Sequence, residues 1–146
     1  MMQKILIIDD DHHILLMIKK MLEKAGYEVD LASNGSKGLE LFKQIQADLV
    51  ITDIIMPEKE GLETIREMMR IRPDLKVIAM SGGGKITADN YLATAKIFGA
   101  SRVLQKPFTQ QLMLDAVNDL LGNPSDDNVN VGKGSSETGS EQEQGG

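Results

Sequence analysis

Between residues 3 and 121 the chain alternates short apolar runs with stretches whose apolar residues recur at helical spacing. Lys4–Ile8 is almost wholly aliphatic, the pattern of a strand covered on both faces. Ile14, Met17, Ile18, Met21, Leu22 and Ala25 then fall at i, i+3, i+4, i+7, i+8 and i+11, one stripe of a helix. Asp11 is placed to cap that helix and Gly26 to end it. Tyr27–Ala32 predicts a second strand, and Ser33 and Asn34 open a helix bearing Leu39, Leu41, Phe42 and Ile45. Asp48–Thr52 predicts a third strand ending at Asp53. A loop containing Met56 and Pro57 leads to a helix with Leu62, Ile65, Met68 and Met69, stopped ahead of Pro73. Leu75–Met80 predicts a fourth strand ending at Ser81, followed by Gly82, Gly83 and Gly84 and a helix with Tyr91, Leu92, Ala95 and Phe98. Arg102–Gln105 predicts a fifth strand ending at Lys106 and Pro107, and Thr109 caps a last helix with Leu112, Ala116, Val117, Leu120 and Leu121.

Five βα units of this kind predict an α/β fold: a five-stranded parallel sheet, doubly wound, with helices on both faces. The flavodoxin-like order 2-1-3-4-5 suits five such units, although periodicity alone does not choose it over other orders. The chain of 146 residues is long enough for one such domain, placed here at residues 1–121. Residues 122–146 change character: Gly, Ser, Asn, Gln and acids dominate, and only Val129 and Val131 are apolar. Such a segment cannot bury enough surface to offset ordering entropy, so it is expected to be a disordered acidic tail, whether linker or solubilising extension.

Charge follows the same division. The chain carries −6, and the five acids and one lysine of the tail account for −4, leaving −2 for the remainder. A near-balanced domain with an acidic tail argues against nucleic-acid binding through a basic face. No apolar run approaches the roughly 18 residues of a membrane span, and the opening Met1–Ile8 lacks the build of a signal peptide. A cytoplasmic protein is therefore expected. The absence of cysteine removes disulfides, thiol catalysis and zinc–thiolate sites.

Ligands of open parallel sheets bind beyond the carboxyl ends of the strands, where the strand order reverses. In the expected order that point lies between strands 1 and 3. Asp9 and Asp10 end strand 1, Asp53 ends strand 3, Ser81 ends strand 4 and Lys106 ends strand 5. Three carboxylates, a hydroxyl and an ammonium thus converge on one edge. Carboxylates so close repel one another unless a cation intervenes, and an all-oxygen cluster suits Mg²⁺, which takes one or two carboxylates together with phosphate oxygens. A metal beside Asp53 with a lysine opposite would neutralise a transferring phosphoryl group, and a carboxylate is a competent acceptor of it.

Ile5-Leu-Ile-Ile-Asp9-Asp10-Asp11, Asp53-Ile-Ile-Met-Pro57 with Gly61, Ser81-Gly82 and Lys106-Pro107-Phe108 together resemble the receiver domain of two-component response regulators, in order and across residues 3–121. The resemblance implies a phosphorylation-activated signalling switch rather than an enzyme with a separate substrate. It implies that Asp53 is the phospho-acceptor, charged by a histidine kinase or phosphotransfer protein, with output through an unidentified protein target or onward relay to another histidine. It implies Mg²⁺ on Asp10, on Asp9 chiefly through water, on Asp53 and on the backbone carbonyl of Ile55. Ser81 corresponds to the hydroxyl that turns toward the phosphoryl group, and Lys106 to the lysine on its oxygens. Pro107 corresponds to a position whose peptide bond is usually cis. Three features depart from the family pattern: Val103 replaces a common aromatic residue, the loop after Ser81 is longer, and Ile55 and Gly83 offer little to position an attacking water. Slow self-hydrolysis is expected from the last.

Other readings of the same residues are plainer. Asp11 is better placed as a helix cap than as a metal ligand. His12 and His13 belong to an exposed first helical turn, and the sulfurs of Met17, Met21, Met68 and Met69 to the core. Gly82-Gly83-Gly84-Lys85 lacks the spacing and the following Ser or Thr of a phosphate-binding loop. The rival function is a metal-dependent phosphohydrolase with an aspartyl nucleophile. Haloacid-dehalogenase-type enzymes carry a second acid two residues after the nucleophile, where this chain has Ile55.

Overall fold

Each apolar run becomes a parallel strand: β1 (Lys4–Ile8), β2 (Glu28–Ala32), β3 (Leu49–Asp53), β4 (Lys76–Ser81) and β5 (Arg102–Gln105). They form one sheet in the order β2-β1-β3-β4-β5. The computed structural model describes residues 2–54, 60–82, 96 and 99–122. Its helices are α1 (His12–Lys24), α2 (Gly35–Gln44), α3 (Glu60–Ile71) and α4 (Gln110–Leu121). The helix expected around Tyr91, Leu92, Ala95 and Phe98, and the expected tail beyond Gly122, lie outside the described residues. None of the described helices is long and apolar enough to cross a membrane.

The central strands β1, β3 and β4 are apolar almost throughout because both faces of the sheet are covered there. Successive side chains of a strand point to opposite faces. Ile5 and Ile7 of β1, Leu49 and Ile51 of β3 and Ile78 and Met80 of β4 meet Leu15, Ile18 and Leu22 of α1 and Met113, Ala116 and Val117 of α4. Leu6 and Ile8, Val50 and Val77 meet Phe42 of α2 and Ile65 and Met68 of α3 on the other side. Each large aliphatic side chain removed from water contributes roughly 1.5–3 kcal/mol, so the two clusters on either side of the sheet fix its register.

The expected caps are in place: Asp11 Oδ1 accepts from the His13 and Ile14 amides, Asn34 Oδ1 from Lys37 and Thr109 Oγ1 from Leu112. Gly26 ends α1 with φ of 102°, a conformation glycine adopts at little cost.

Two helical stripes are displaced from the expected ones. The buried line of α1 is Leu15–Ile18–Leu22, and Met17 is 43% exposed rather than part of the core. At 3.6 residues per turn Met17 lies roughly 130° from the centre of that line, whereas Ile14, Met21 and Ala25 flank it. On α4, Met113 takes the buried place and Leu112, roughly 90° round the helix, is 53% exposed.

The strand ends also move by one residue. Asp48 is outside β3 because its carboxylate accepts from the Lys4 amide at 2.8 Å. Asp53 and Ser81 are in turn the last residues of β3 and β4. Tyr27 precedes β2, fully buried, and its hydroxyl donates to Asn118 Oδ1 at 2.6 Å on α4.

The approach of α2 to β1 depends on a missing side chain. A Cβ on Gly38 would lie 2.8 Å from Cγ1 of the fully buried Ile8 and closer still to its Cδ1. Alanine favours a helix interior over glycine by about 1 kcal/mol, but here the clash outweighs it. Gly38→Ala should lower the unfolding free energy by about 1–2 kcal/mol, measured by urea denaturation, with Gly38→Leu worse. An alanine variant more stable than wild type would show that the helix and strand can separate freely.

Candidate functional site

The chain passes from β1 to β2 on one side of the sheet and then to β3 on the other, so the carboxyl ends of β1 and β3 flank the reversal of order. Asp9, following β1, is fully buried, and its amide donates to the Ala32 carbonyl at 3.2 Å. Asp53, ending β3, is 6% exposed. Asp10 is exposed and forms the open side of the cluster. A carboxylate oxygen from each of the three lies within 4.8 Å of the others.

Lys106 reaches into this cluster from the end of β5. Its amide donates to the Ser81 carbonyl at 2.6 Å, and the Lys106–Pro107 bond is cis. Its Nζ donates to Asp9 Oδ2 at 2.7 Å and to Asp53 Oδ2 at 3.2 Å. The other oxygen of Asp9 accepts from the Asp11 amide at 2.9 Å. The sequence pattern placed the lysine opposite Asp53; its shorter bond is to Asp9.

The two partners titrate in informative directions. Burial pushes the Asp9 carboxyl up, and the hydrogen bond and charge of Lys106, with the Asp11 amide, offset this only in part. For Lys106 burial lowers the ammonium's pKa, but the Asp9 hydrogen bond and the charges of Asp53 and Asp9 outweigh that and hold it above the ordinary lysine value. The lysine therefore stays charged, while the burial of Asp9 is only partly offset, and three carboxyl groups face one ammonium. The donor set is all oxygen, with no imidazole or thiolate, and one member opens to solvent. A small hard dication such as Mg²⁺ fits these residues.

Ser81 is fully buried at the end of β4, paired in register with Gln105 next to Lys106. Its Oγ has no hydrogen-bond partner among the described residues. An unpaired buried hydroxyl costs on the order of 1–3 kcal/mol.

The structure thus gathers Asp9, Asp10, Asp53 and Lys106 and sets Ser81 beside them on the next strand. Ile55 and Gly83 lie outside the described residues. Asp11 serves as the α1 cap, His12 and His13 are exposed, and Val103 is buried at the position of the absent aromatic. Sequence reasoning missed Thr52, whose buried Oγ1 donates to the Asp53 carbonyl at 3.2 Å. The only signal for it was one hydroxyl in an otherwise aliphatic strand.

Comparison with known proteins gives the family. The sequence profile of the response regulator receiver domain matches residues 5–118. The chain is 36% identical over 117 residues to the chemotaxis protein CheY of Thermotoga maritima, covering 80% of this chain and 95% of that protein. Its fold matches a response regulator receiver domain protein from Clostridium thermocellum with a TM-score of 0.73 and 38% identity, over 85% of this chain and 98% of the other. It also matches the response regulator TrrA of Thermotoga maritima, solved in complex with Mg(2+)-BeF, with a TM-score of 0.70 and 31% identity, over 82% of this chain and 100% of the other. With a sheet of the same order and relatives aligned along nearly their whole length, the chain belongs to the response regulator receiver family of two-component signalling and is a phosphorylation-activated switch, charged in that family from histidine kinases.

Proposed function

We propose that Asp53 accepts the phosphoryl group of this switch, that Lys106 and Ser81 hold the transferred group, and that Asp9, Asp10, Asp53 and the Ile55 carbonyl hold Mg²⁺. The observation that carries this reading is the Lys106 ammonium lying 3.2 Å from the Asp53 carboxylate at the switch point of the sheet. In the transfer, the P–N bond of a protonated phosphohistidine breaks as a P–O bond to the Asp53 carboxylate forms, and the ring leaves as neutral imidazole. Lys106 neutralises phosphoryl oxygen charge, and the Ser81 hydroxyl, unpartnered among the described residues, donates to one of those oxygens. A bound Mg²⁺ supplies further charge neutralisation and alignment of the phosphoryl oxygens.

The donor is a histidine kinase or a phosphotransfer protein, and the output is a changed protein-binding face. The protein assists its own phosphorylation and dephosphorylation and turns over no separate substrate. The domain is assigned to residues 1–121 and the acidic segment 122–146 to a tail outside the switch. The cytoplasm, where ATP charges histidine kinases, is its place.

With acetyl phosphate and Mg²⁺, wild type should gain one phosphoryl group by intact-protein mass spectrometry. Asp53→Asn should gain none, and Ser81→Ala should react about tenfold more slowly or worse. Phosphorylation that persists in Asp53→Asn, or sustained hydrolysis of p-nitrophenyl phosphate by wild type, would overturn the assignment.

The raised pKa of Asp9 gives a second prediction. A carboxyl whose folded pKa lies above its unfolded value costs stability wherever it is ionised, and that cost fades as pH falls through the folded pKa. Asp9→Asn should therefore melt higher than wild type at neutral pH in chelator, lose this advantage on acidification, and respond less to added Mg²⁺. A lower melting temperature in chelator would show that the Lys106 pair outweighs the burial of Asp9.

Stopping the chain after Gly122 should leave both the melting temperature and acetyl-phosphate labelling unchanged. Loss of either would bring the tail into the switch.

A further inference from the structure

One buried hydroxyl beside the site has no part in the proposed chemistry. Thr52 immediately precedes Asp53, is fully buried, and donates from Oγ1 to the Asp53 carbonyl at 3.2 Å. The peptide unit joining Asp53 to Ile54 is planar, and its N–H donates to the Met80 carbonyl of β4 at 2.9 Å. Its C=O consequently points the opposite way, toward β1. On that side the pairing of β1 with β3 ends at Thr52, opposite Ile8, while pairing with β4 continues to Asp53. Asp53 is thus laddered in register to β4, and the Thr52 hydroxyl bonds the carbonyl of the peptide unit that follows it.

We propose that Thr52 is a positioning residue, its hydroxyl clamping the peptide unit after Asp53 and so fixing how the carboxylate meets Lys106 and the cation site. This rests on Asp53 being the acceptor. The physical leverage is large, because a misplacement of about 1 Å at a reacting group can cost up to about 100-fold. Against it stands a plainer role: threonine suits a strand through its β-branched shape, and the hydroxyl merely satisfies itself on the nearest carbonyl. The two roles reside in different atoms. Thr52→Val removes the hydroxyl and keeps the shape, whereas Thr52→Ser keeps the hydroxyl and removes the methyl.

The test is formation of the beryllofluoride adduct in Mg²⁺, titrated by ¹⁹F NMR, with thermal melting recorded beside it. Thr52→Val should weaken the adduct about 5–10-fold. Thr52→Ser should bind within about twofold of wild type even where the lost buried methyl lowers its melting temperature. Affinity then follows the hydroxyl and not the methyl, which a packing role cannot produce. Thr52→Ser against Thr52→Ala makes the same comparison without the methyl, and decides the matter if the valine variant misfolds. Equal affinity of valine variant and wild type, or equal weakening in serine and alanine variants, overturns the clamp. A well-folded wild type that forms no adduct overturns the acceptor assignment itself, and the clamp with it.

Discussion

The site depends on one lysine placed among carboxylates that parallel-strand topology forces together. In a parallel sheet every strand ends at the same edge, so acids following β1 and β3 are neighbours even though 43 residues separate Asp10 from Asp53 in sequence. Two unit charges about 4 Å apart interact by about 4 kcal/mol at the effective dielectric near a protein surface, a large fraction of a domain's stability. Lys106 offsets part of that repulsion, bonding Asp9 more closely than Asp53. The offset is incomplete, because burial still pushes the Asp9 carboxyl up.

The opposite edge of the sheet is built for stability. There Gln3 Nε2 donates to the Leu121 carbonyl at 3.0 Å, Lys76 Nζ to the Leu120 carbonyl at 2.7 Å, and Tyr27 to Asn118, so β1, β4 and the start of β2 all fasten the end of α4. Arg72 donates to the Ala47 carbonyl and lies over the Phe42 ring, 5.2 Å from its centroid, joining the ends of α2 and α3. Two carbonyls at the end of α4 are thus satisfied by side chains from β4 and from the residue preceding β1. The carboxyl edge instead keeps the Ser81 hydroxyl, without a partner among the described residues, and a carboxyl pushed up by burial. Local satisfaction at one edge and local frustration at the other is the arrangement expected when function, not stability, dictates a site.

Much of this was legible in the sequence because the informative signals are short-range. A strand buried on both faces must be apolar at successive positions, so β1, β3 and β4 declare themselves. Caps are equally local, and Asp11, Asn34 and Thr109 stand where their side chains reach the next amides. The acids, the hydroxyl and the lysine were legible because each falls at the end of an expected strand. What stayed hidden was angular or tertiary. Met17 and Leu112 share helical spacing with core residues, but the axis of the buried line is set by how the helix lies on the sheet. The closer attachment of Lys106 to Asp9 depends on side-chain reach across two strands, which no spacing encodes. Thr52 hides because a β-branched residue in a strand needs no special explanation.

Under the proposed chemistry, the same unpaired groups determine how phosphorylation is converted into a change of state. A phosphoryl group on Asp53 adds oxygen acceptors beside a hydroxyl that has no partner among the described residues and an ammonium already shared between two acids. Pairing Ser81 recovers on the order of 1–3 kcal/mol, and such a difference between two conformations shifts their ratio by about 5–150-fold. No new contact at a distant surface is required to drive the change: the energy comes from a polar group left unsatisfied in the resting state. Ser81 ends β4 in register with Gln105, and its carbonyl holds the Lys106 amide. Only a shift of the Ser81 backbone, not a turn of its side chain alone, would carry the end of β5 with it through that bond. Val103, buried on β5 where relatives often place an aromatic ring, offers no swinging side chain to carry the signal.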